Sequence, residues 1–295
     1  MKNPVFTGSN VAIVTPYNKD GINYKALAEL IEFQIANKTD SITICGTTGE
    51  MSTMSDDEHR SAIKFCVNTV AKRVPVVAGT GSNDTLYALE MTVYARDVGA
   101  DAVLMVTPYY NKTTQTGLIK HFTYIADHVD IPIIVYNVPS RTGMTIQPET
   151  YAELCKHKNI NGVKEAQDDL GEVALAMMLC GNEFNFWSGR DDTVVPLMSL
   201  GGKGVISTAA NVIPRQFHDM CICALNGDFK TAGEMQLRYL PLIDALFAEV
   251  NPIPVKTALN HMGFDAGLLR MPLFEMSAGN KAKLVEALER LNVRR

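Results

Sequence analysis

The chain has 295 residues, of which 46% are hydrophobic and 20% charged, and its formal net charge is −5. This composition is typical of a globular protein, and the length suits one large α/β barrel or two medium-sized domains. The negative charge argues against nucleic acid or a polybasic membrane patch as a partner. The first residues, MKNPVFTGSN, resemble no secretory signal, and every apolar run is shorter than the roughly 20 residues that span a bilayer. We therefore expect a cytoplasmic protein.

The six cysteines are scattered along the chain, and most of them lie in apolar stretches. The sequence contains no CxxC or HExxH motif. Cys221 and Cys223 form the one close pair, but two residues spaced in this way on a helix point in nearly opposite directions. We therefore predict reduced cysteines and no metal site.

Eight short segments rich in apolar and β-branched residues alternate with helical patterns. Each is a continuous apolar run, which is typical of parallel strands buried on both faces. The predicted strands are, in chain order, 10–16, 41–45, 75–80, 102–108, 132–139, 160–166, 184–189 and 204–208.

Amphipathic helices are predicted between these strands. In 24–37 the apolar residues recur at helical spacing. The sequence SDDE at 55–58 is a capping box that starts another helix. Eight βα units in a row predict an α/β fold of the (β/α)8 TIM-barrel type. A doubly wound sheet is the alternative, but no GxGxxG fingerprint follows the first or third strand.

The barrel is predicted to occupy residues 1–226, and residues 227–295 carry no strand pattern. This C-terminal region is predicted to form three helices, at about 228–249, 251–262 and 279–292. A kink is expected at Pro241. Such an appendix could cap the bottom of the barrel or build an oligomer interface.

Active sites of TIM barrels form at the carboxyl ends of the strands. The most unusual residue there is Lys164, which lies inside the predicted strand INGVKEA. Lysine side chains are rarely buried. Burial lowers the pKa of a lysine, and a neutral amine can attack a carbonyl to form a Schiff base.

Other polar groups are predicted to reach the same end of the barrel. The segment GTTGE at 46–50 has glycines and exposed amides suited to holding a carboxylate. Tyr136 ends an aliphatic strand and could relay a proton beside Lys164. Arg141 follows in a loop and could bind a carboxylate through two hydrogen bonds.

Taken together, these motifs resemble the 4-hydroxy-tetrahydrodipicolinate synthase family of pyruvate-dependent class I aldolases. The motifs that carry the resemblance, in order along nearly the whole chain, are GTTGE, TPYYNK, YNVPSRTG, GVKEA, GGKGVIS and NPIPVKTAL. The resemblance implies a lyase that condenses pyruvate with L-aspartate 4-semialdehyde in the diaminopimelate route to lysine. The implied imine chemistry needs no metal or organic cofactor, so no cofactor is expected. It also implies a homotetramer built from two tight dimers.

The resemblance assigns roles to individual residues. Lys164 would form the imine with pyruvate, and Tyr136 would relay protons through Thr47 to Tyr110 of a neighbouring subunit. Thr48 would hold the pyruvate carboxylate, and Arg141 would bind the carboxylate of the semialdehyde. Gly189 and Ile206 would line the pocket.

A regulatory lysine site is implied at the dimer interface by six matching positions, Ser52, Asp56, His59, Asn83, Tyr87 and Tyr109. Lysine-inhibited bacterial members often carry His and Glu at two of them, where this chain has Asp56 and Tyr87. Losing the Glu removes a counter-charge for the lysine ammonium group, so we expect weak or no inhibition. A second departure is EAQDD after Lys164, where members often have EASG.

Two alternatives to the synthase are considered. A sugar-acid aldolase such as N-acetylneuraminate lyase would favour neutral groups over Arg141 at the mouth of the site, and tends to carry Ser in place of Thr47. A non-catalytic pyruvate-binding protein on the same barrel would be expected to have lost the lysine or the tyrosine, yet Lys164 and Tyr136 are both present.

Overall fold

The predicted barrel is confirmed in the computed structural model, which describes residues 2–295. Eight parallel strands close on themselves in the order β1-β8-β7-β6-β5-β4-β3-β2. The strands are β1 Gly8–Ala12, β2 Ser41–Ile44, β3 Val76–Gly79, β4 Ala102–Val106, β5 Ile133–Asn137, β6 Ile160–Glu165, β7 Asn185–Ser188 and β8 Gly204–Ser207.

Helices surround this barrel and fill the connections between its strands. They are α1 Tyr24–Ala36, α2 Asp56–Val70, α3 Thr85–Asp97, α4 Gln115–His128, α5 Pro139–Thr142, α6 Pro148–Leu154, α7 Leu170–Cys180, α8 Val194–Ser199 and α9 Pro214–Leu225. The predicted capping box is present at the start of α2: the Glu58 amide donates to Ser55, and the Ser55 amide donates to the Glu58 carboxylate. Satisfying these free amides fixes where α2 begins.

The first strand differs from its prediction of 10–16, because it begins at Gly8 and ends at Ala12. Its early residues are polar but buried, and the Asn10 amide donates to Ser41 Oγ at 2.7 Å while accepting from Thr43 Oγ1 at 2.7 Å. Because these hydrogen bonds satisfy the buried polar side chains, burying them costs little free energy. An apolar pattern alone therefore placed the strand too far along the chain.

Two apolar clusters stabilise the barrel. The larger lies between the strands and the surrounding helices, and the smaller fills the barrel interior. Trp187 lies at the centre of the smaller cluster, fully buried, with its ring stacked on Phe6 at a centroid distance of 5.0 Å. The packed interior makes the barrel a rigid support for the groups at its rim.

The C-terminal helices are also confirmed, as α10 Phe229–Leu246, α11 Ile253–His261 and α12 Ala278–Arg290, with Pro241 inside α10. This region packs at the end of the barrel where the strands terminate, so the expectation that it caps the bottom of the barrel is wrong. The Lys256 ammonium group donates to the carbonyl of Thr15 and to Glu50, both just beyond strand ends. The boundary at residue 226 falls in the turn between α9 and α10 and stays a prediction.

Among residues 2–295, no helix has both the length and the apolar character needed to cross a bilayer.

Candidate active site

A cavity of about 260 Å³ opens at the carboxyl ends of the strands. Six of the predicted residues line this cavity from the barrel side. Residues of α10 and of the segment after it also line the cavity. The barrel residues include Thr47, Thr48, Tyr136, Arg141, Lys164 and Gly189, and the C-terminal region adds Ile243, Asp244, Phe247 and Asn251. The cavity suits a small polar molecule.

Lys164 lies near the end of β6 and its side chain is only 6% exposed. Its Nζ lies 4.4 Å from the centre of the Tyr136 ring, because these two residues are directly paired across β5 and β6. Burial lowers the pKa of Lys164 to about 8, although the Asp191 carboxylate opposes the shift and Arg141 adds to it. A substantial fraction of the amine is therefore neutral near physiological pH.

Tyr136 presents its phenol to the same cavity. Burial raises its pKa to about 12, with Arg141 opposing the shift and Asp191 adding to it. The phenol also hydrogen-bonds the Thr47 side chain. Tyr136 thus holds its proton at neutral pH and is placed to donate it to a developing alkoxide.

Thr48 is buried at the wall of the cavity, and its hydroxyl contacts two polar neighbours. Its Oγ1 accepts from Asn251 Nδ2 at 2.9 Å and lies 3.3 Å from Thr208 Oγ1. Asn251 comes from the C-terminal region, just before α11. The motif GTTGE alone gave no sign that a residue more than 200 positions away holds its hydroxyl.

Gly189 follows β7 and lies against Lys164. A Cβ atom at this position would be 2.8 Å from the Ala166 Cβ and 3.1 Å from the Lys164 Cγ. A larger residue would therefore press on the stem of the lysine, so this close approach explains the glycine.

Asp191 was not among the residues predicted from sequence, yet it is buried at the cavity wall. Its Oδ2 accepts from the amides of Thr208 and Ala209 at 3.1 and 2.8 Å. Burial raises the pKa of Asp191, whereas these amides, the Ser207 hydroxyl and Lys164 lower it. The pair of aspartates in WSGRDD was the available signal, but only the fold shows which one turns inward.

The segment EAQDD, which departs from the EASG that members often have, supplies a partner for Arg190 at the edge of the cavity. Asp168 forms an ion pair with Arg190 Nη1, and Asp192 binds the same guanidinium group through Nε at 3.0 Å and Nη2 at 2.6 Å. Arg190 lines the cavity beside Arg141. Its charge is balanced by two carboxylates, so Arg141 is the less neutralised of the two guanidinium groups.

Two predicted site residues lie away from this cavity. Tyr110 is 93% exposed on the loop after β4, with a left-handed φ of 66°. Ile206 is buried in the interior cluster with Trp187, below the cavity. The single chain therefore brings together Lys164, Tyr136, Thr47, Thr48, Arg141 and Gly189, but not Tyr110 or Ile206.

Hydrogen bonds join two pairs among the six positions of the possible regulatory site. Tyr87 Oη donates to Asp56 Oδ1 at 2.7 Å, and Asn83 Nδ2 donates to the Tyr109 carbonyl at 3.2 Å. His59 Nε2 lies 2.8 Å from the carbonyl of Gly79, and burial lowers its pKa. A second cavity of about 240 Å³ is lined by Ser52 and Tyr109 together with Thr47 and Tyr136.

Comparison with known proteins identifies the family. The profile of the Dihydrodipicolinate synthetase family matches residues 5–291. The chain belongs to this family. A 4-hydroxy-tetrahydrodipicolinate synthase of Thermoanaerobacter sp. (strain X514) is 58% identical over 288 residues, which cover 97% of each chain. The family's enzymes condense pyruvate with aspartate semialdehyde, so the resemblance and the enzyme class predicted from the motifs are confirmed.

Solved structures of the family share the whole fold. Dihydrodipicolinate synthase from Aquifex aeolicus is 45% identical with a TM-score of 0.96, and the match covers 98% of this chain and 99% of that one. The chloride-inhibited synthase from Acinetobacter baumannii, complexed with pyruvate, is 41% identical with a TM-score of 0.94, covering 97% and 99%. The synthase from Cyanidioschyzon merolae, with lysine bound, is 34% identical with a TM-score of 0.95, covering 98% and 99%.

Proposed function

We propose that this chain condenses pyruvate with L-aspartate 4-semialdehyde through an imine on Lys164. The observation that carries the assignment is the buried Lys164 amine, held against the Tyr136 ring in a small polar cavity. The structure of a relative complexed with pyruvate supports the choice of first substrate. Thr48 and the amides around it bind the pyruvate carboxylate, and Arg141 binds the carboxylate of the semialdehyde.

The chemistry follows from these positions. The neutral Lys164 amine attacks the pyruvate ketone, and loss of water gives a protonated imine. This imine withdraws electrons, so the pyruvate methyl group releases a proton and becomes an enamine. The enamine carbon adds to the aldehyde, whose oxygen takes a proton relayed by Tyr136 and Thr47. The amine of the semialdehyde then attacks the imine carbon, which closes the ring and frees Lys164.

Substrate comparison tests the reaction. We expect turnover with pyruvate and L-aspartate 4-semialdehyde and none with N-acetylneuraminate. Arg141→Gln should raise KM for the semialdehyde more than KM for pyruvate, because a guanidinium group binds a carboxylate with two charged hydrogen bonds. Preferential cleavage of a sugar acid would favour the aldolase alternative instead.

The rate of imine formation should depend on pH. Only the neutral amine is nucleophilic, so the trapping rate with pyruvate and borohydride should rise with pH and level off above a pKa of about 8. Asp191→Asn should move this apparent pKa lower, because the Asp191 carboxylate stabilises the charged amine. A flat profile, or a shift to higher pH in the variant, would contradict the assignment of Lys164.

Feedback by lysine should be weak or absent. The Asp56 carboxylate is already bonded to Tyr87, which leaves it less available to a lysine ammonium group. We expect steady-state rates to be unchanged by millimolar lysine. The double variant Asp56→His with Tyr87→Glu restores the residues common in inhibited members and should gain sensitivity. Strong inhibition of the unmodified enzyme would refute this prediction.

We also propose a cytoplasmic homotetramer made of two tight dimers. Tyr110 can complete the relay only in a neighbouring subunit, because it is exposed and does not line the cavity of its own chain. The outer face of α7 leaves Leu175, Met178 and Leu179 exposed, which suits a further subunit contact. Sedimentation velocity distinguishes tetramer, dimer and monomer.

A further inference from the structure

Glu165, which directly follows Lys164, is a buried carboxyl group that the reaction does not use. It is 2% exposed and faces the helices, because successive residues of a strand point to opposite faces. Its Oε2 accepts from the Tyr151 hydroxyl of α6 at 2.6 Å. Its Oε1 accepts from Asn137 Nδ2 at 2.9 Å and from the Gln167 amide at 3.0 Å.

The bond to Asn137 joins the same two strands that carry the reacting pair. Tyr136 is paired with Lys164 across β5 and β6, and the next residues, Asn137 and Glu165, are paired directly after them. Lys164 and Tyr136 lie on the inner face of the two strands, and the hydrogen bond between Asn137 and Glu165 lies on the outer face. Because a strand slip of one residue exchanges its two faces, the outer bond helps to fix the inner pair.

Asn137 extends the network to the turn that carries Arg141. Its Oδ1 accepts from the Ile146 amide at 3.1 Å, and its Nδ2 donates to Thr145 Oγ1 at 3.2 Å. These two bonds hold the far end of the turn that begins at Val138. The Glu165 bond to Gln167 likewise holds the first residues of the EAQDD segment.

The carboxyl group is held by neutral donors rather than by a cation. Burial raises the pKa of Glu165 to about 7, opposed chiefly by the bonds from Tyr151, Gln167 and Asn137. The phenol of Tyr151 has its own pKa raised well above normal by burial. What these contacts require of residue 165 is therefore an acceptor of the right shape, and glutamine can supply one.

We propose that Glu165 is a positioning residue that, through Asn137, fixes Lys164 opposite Tyr136 and holds the turn of Arg141. The proposal rests on the roles assigned above to those three residues. Glu165 touches no substrate and acts only on the placement of groups that do.

Three variants test it. Glu165→Met removes the acceptor shared by Tyr151, Asn137 and Gln167. Glu165→Gln keeps an acceptor, and Val163→Ala truncates a neighbouring outward side chain of the same strand that takes no part in the network. We expect Glu165→Met to lower both the rate of imine trapping and kcat/KM for the semialdehyde by about tenfold to a hundredfold, since small misplacements of reacting groups have effects of this size. Glu165→Gln should stay within about threefold on the same reasoning.

Val163→Ala should lower the unfolding temperature yet leave both rates nearly unchanged. Asn137→Ala, which removes the same link from the other strand, should reproduce the kinetic losses. Combining it with Glu165→Met should lower the rates by less than the product of the two single losses, because both changes break the shared Asn137–Glu165 bond. The proposal is overturned if Glu165→Met matches Val163→Ala in its kinetics, or if Glu165→Gln is as impaired as Glu165→Met. If the unmodified enzyme is trapped at another lysine, the assigned site fails instead.

Discussion

Lys164→Ala should abolish condensation, with a loss of roughly 10³-fold or more, because removing a covalent nucleophile removes the intermediate as well as a contact. Borohydride in the presence of pyruvate should attach one pyruvyl group to the unmodified chain and none to the variant. Peptide mapping should place the adduct on Lys164. The variant should keep its unfolding temperature within a few degrees, because within residues 2–295 Asp191 acts on Lys164 without a direct ion pair.

The chain supplies its own control for this experiment, since Lys256 is a second deeply buried lysine. Its Nζ is occupied by the Glu50 carboxylate at 2.7 Å and by the carbonyls of Thr15 and Leu268. Burial lowers the pKa of Lys256, although the Glu50 carboxylate opposes the shift. Because these three acceptors already hold its ammonium group, Lys256 should not attack a ketone. An adduct on Lys256, or activity retained by Lys164→Ala, would overturn the mechanism.

Lys256→Met should instead act on stability, with a loss of about 3–5 kcal/mol in the free energy of unfolding, the usual result of leaving one charge of a buried pair alone. The variant leaves the Glu50 carboxylate without its ion-pair partner, although Glu50 Oε2 still accepts from the Arg270 amide at 3.0 Å. Because Glu50 ends the GTTGE segment, the variant should also weaken pyruvate binding at Thr48. Chemical denaturation followed by circular dichroism measures the stability, and KM for pyruvate measures the second effect.

The matched control is Lys72→Met. Lys72 pairs with Asp101 at 2.8 Å, but its side chain is 64% exposed, and an exposed pair contributes at most about 1 kcal/mol. Equal losses in the two lysine variants would show that the Lys256–Glu50 pair does not stabilise the junction between the C-terminal region and the barrel.

Residues close together in the sequence were predicted well. Strand and helix patterns are local, so they identified the eight strands, the capping box at Ser55 and the C-terminal helices. Lys164 stood out because a lysine inside an apolar strand violates the usual pattern. The first strand was misplaced because its polar start is buried through hydrogen bonds between strands, which no local apolar pattern records.

By itself, the sequence determined the barrel, the family and most of the side chains that meet at the carboxyl ends of the strands. Only the tertiary structure decided which distant residues complete that site. Asn251 holds Thr48, Asp191 faces Lys164, and Arg190 takes Asp168 as its partner. Burial and pKa depend on everything that surrounds a group in space, whereas a sequence motif records only its neighbours along the chain.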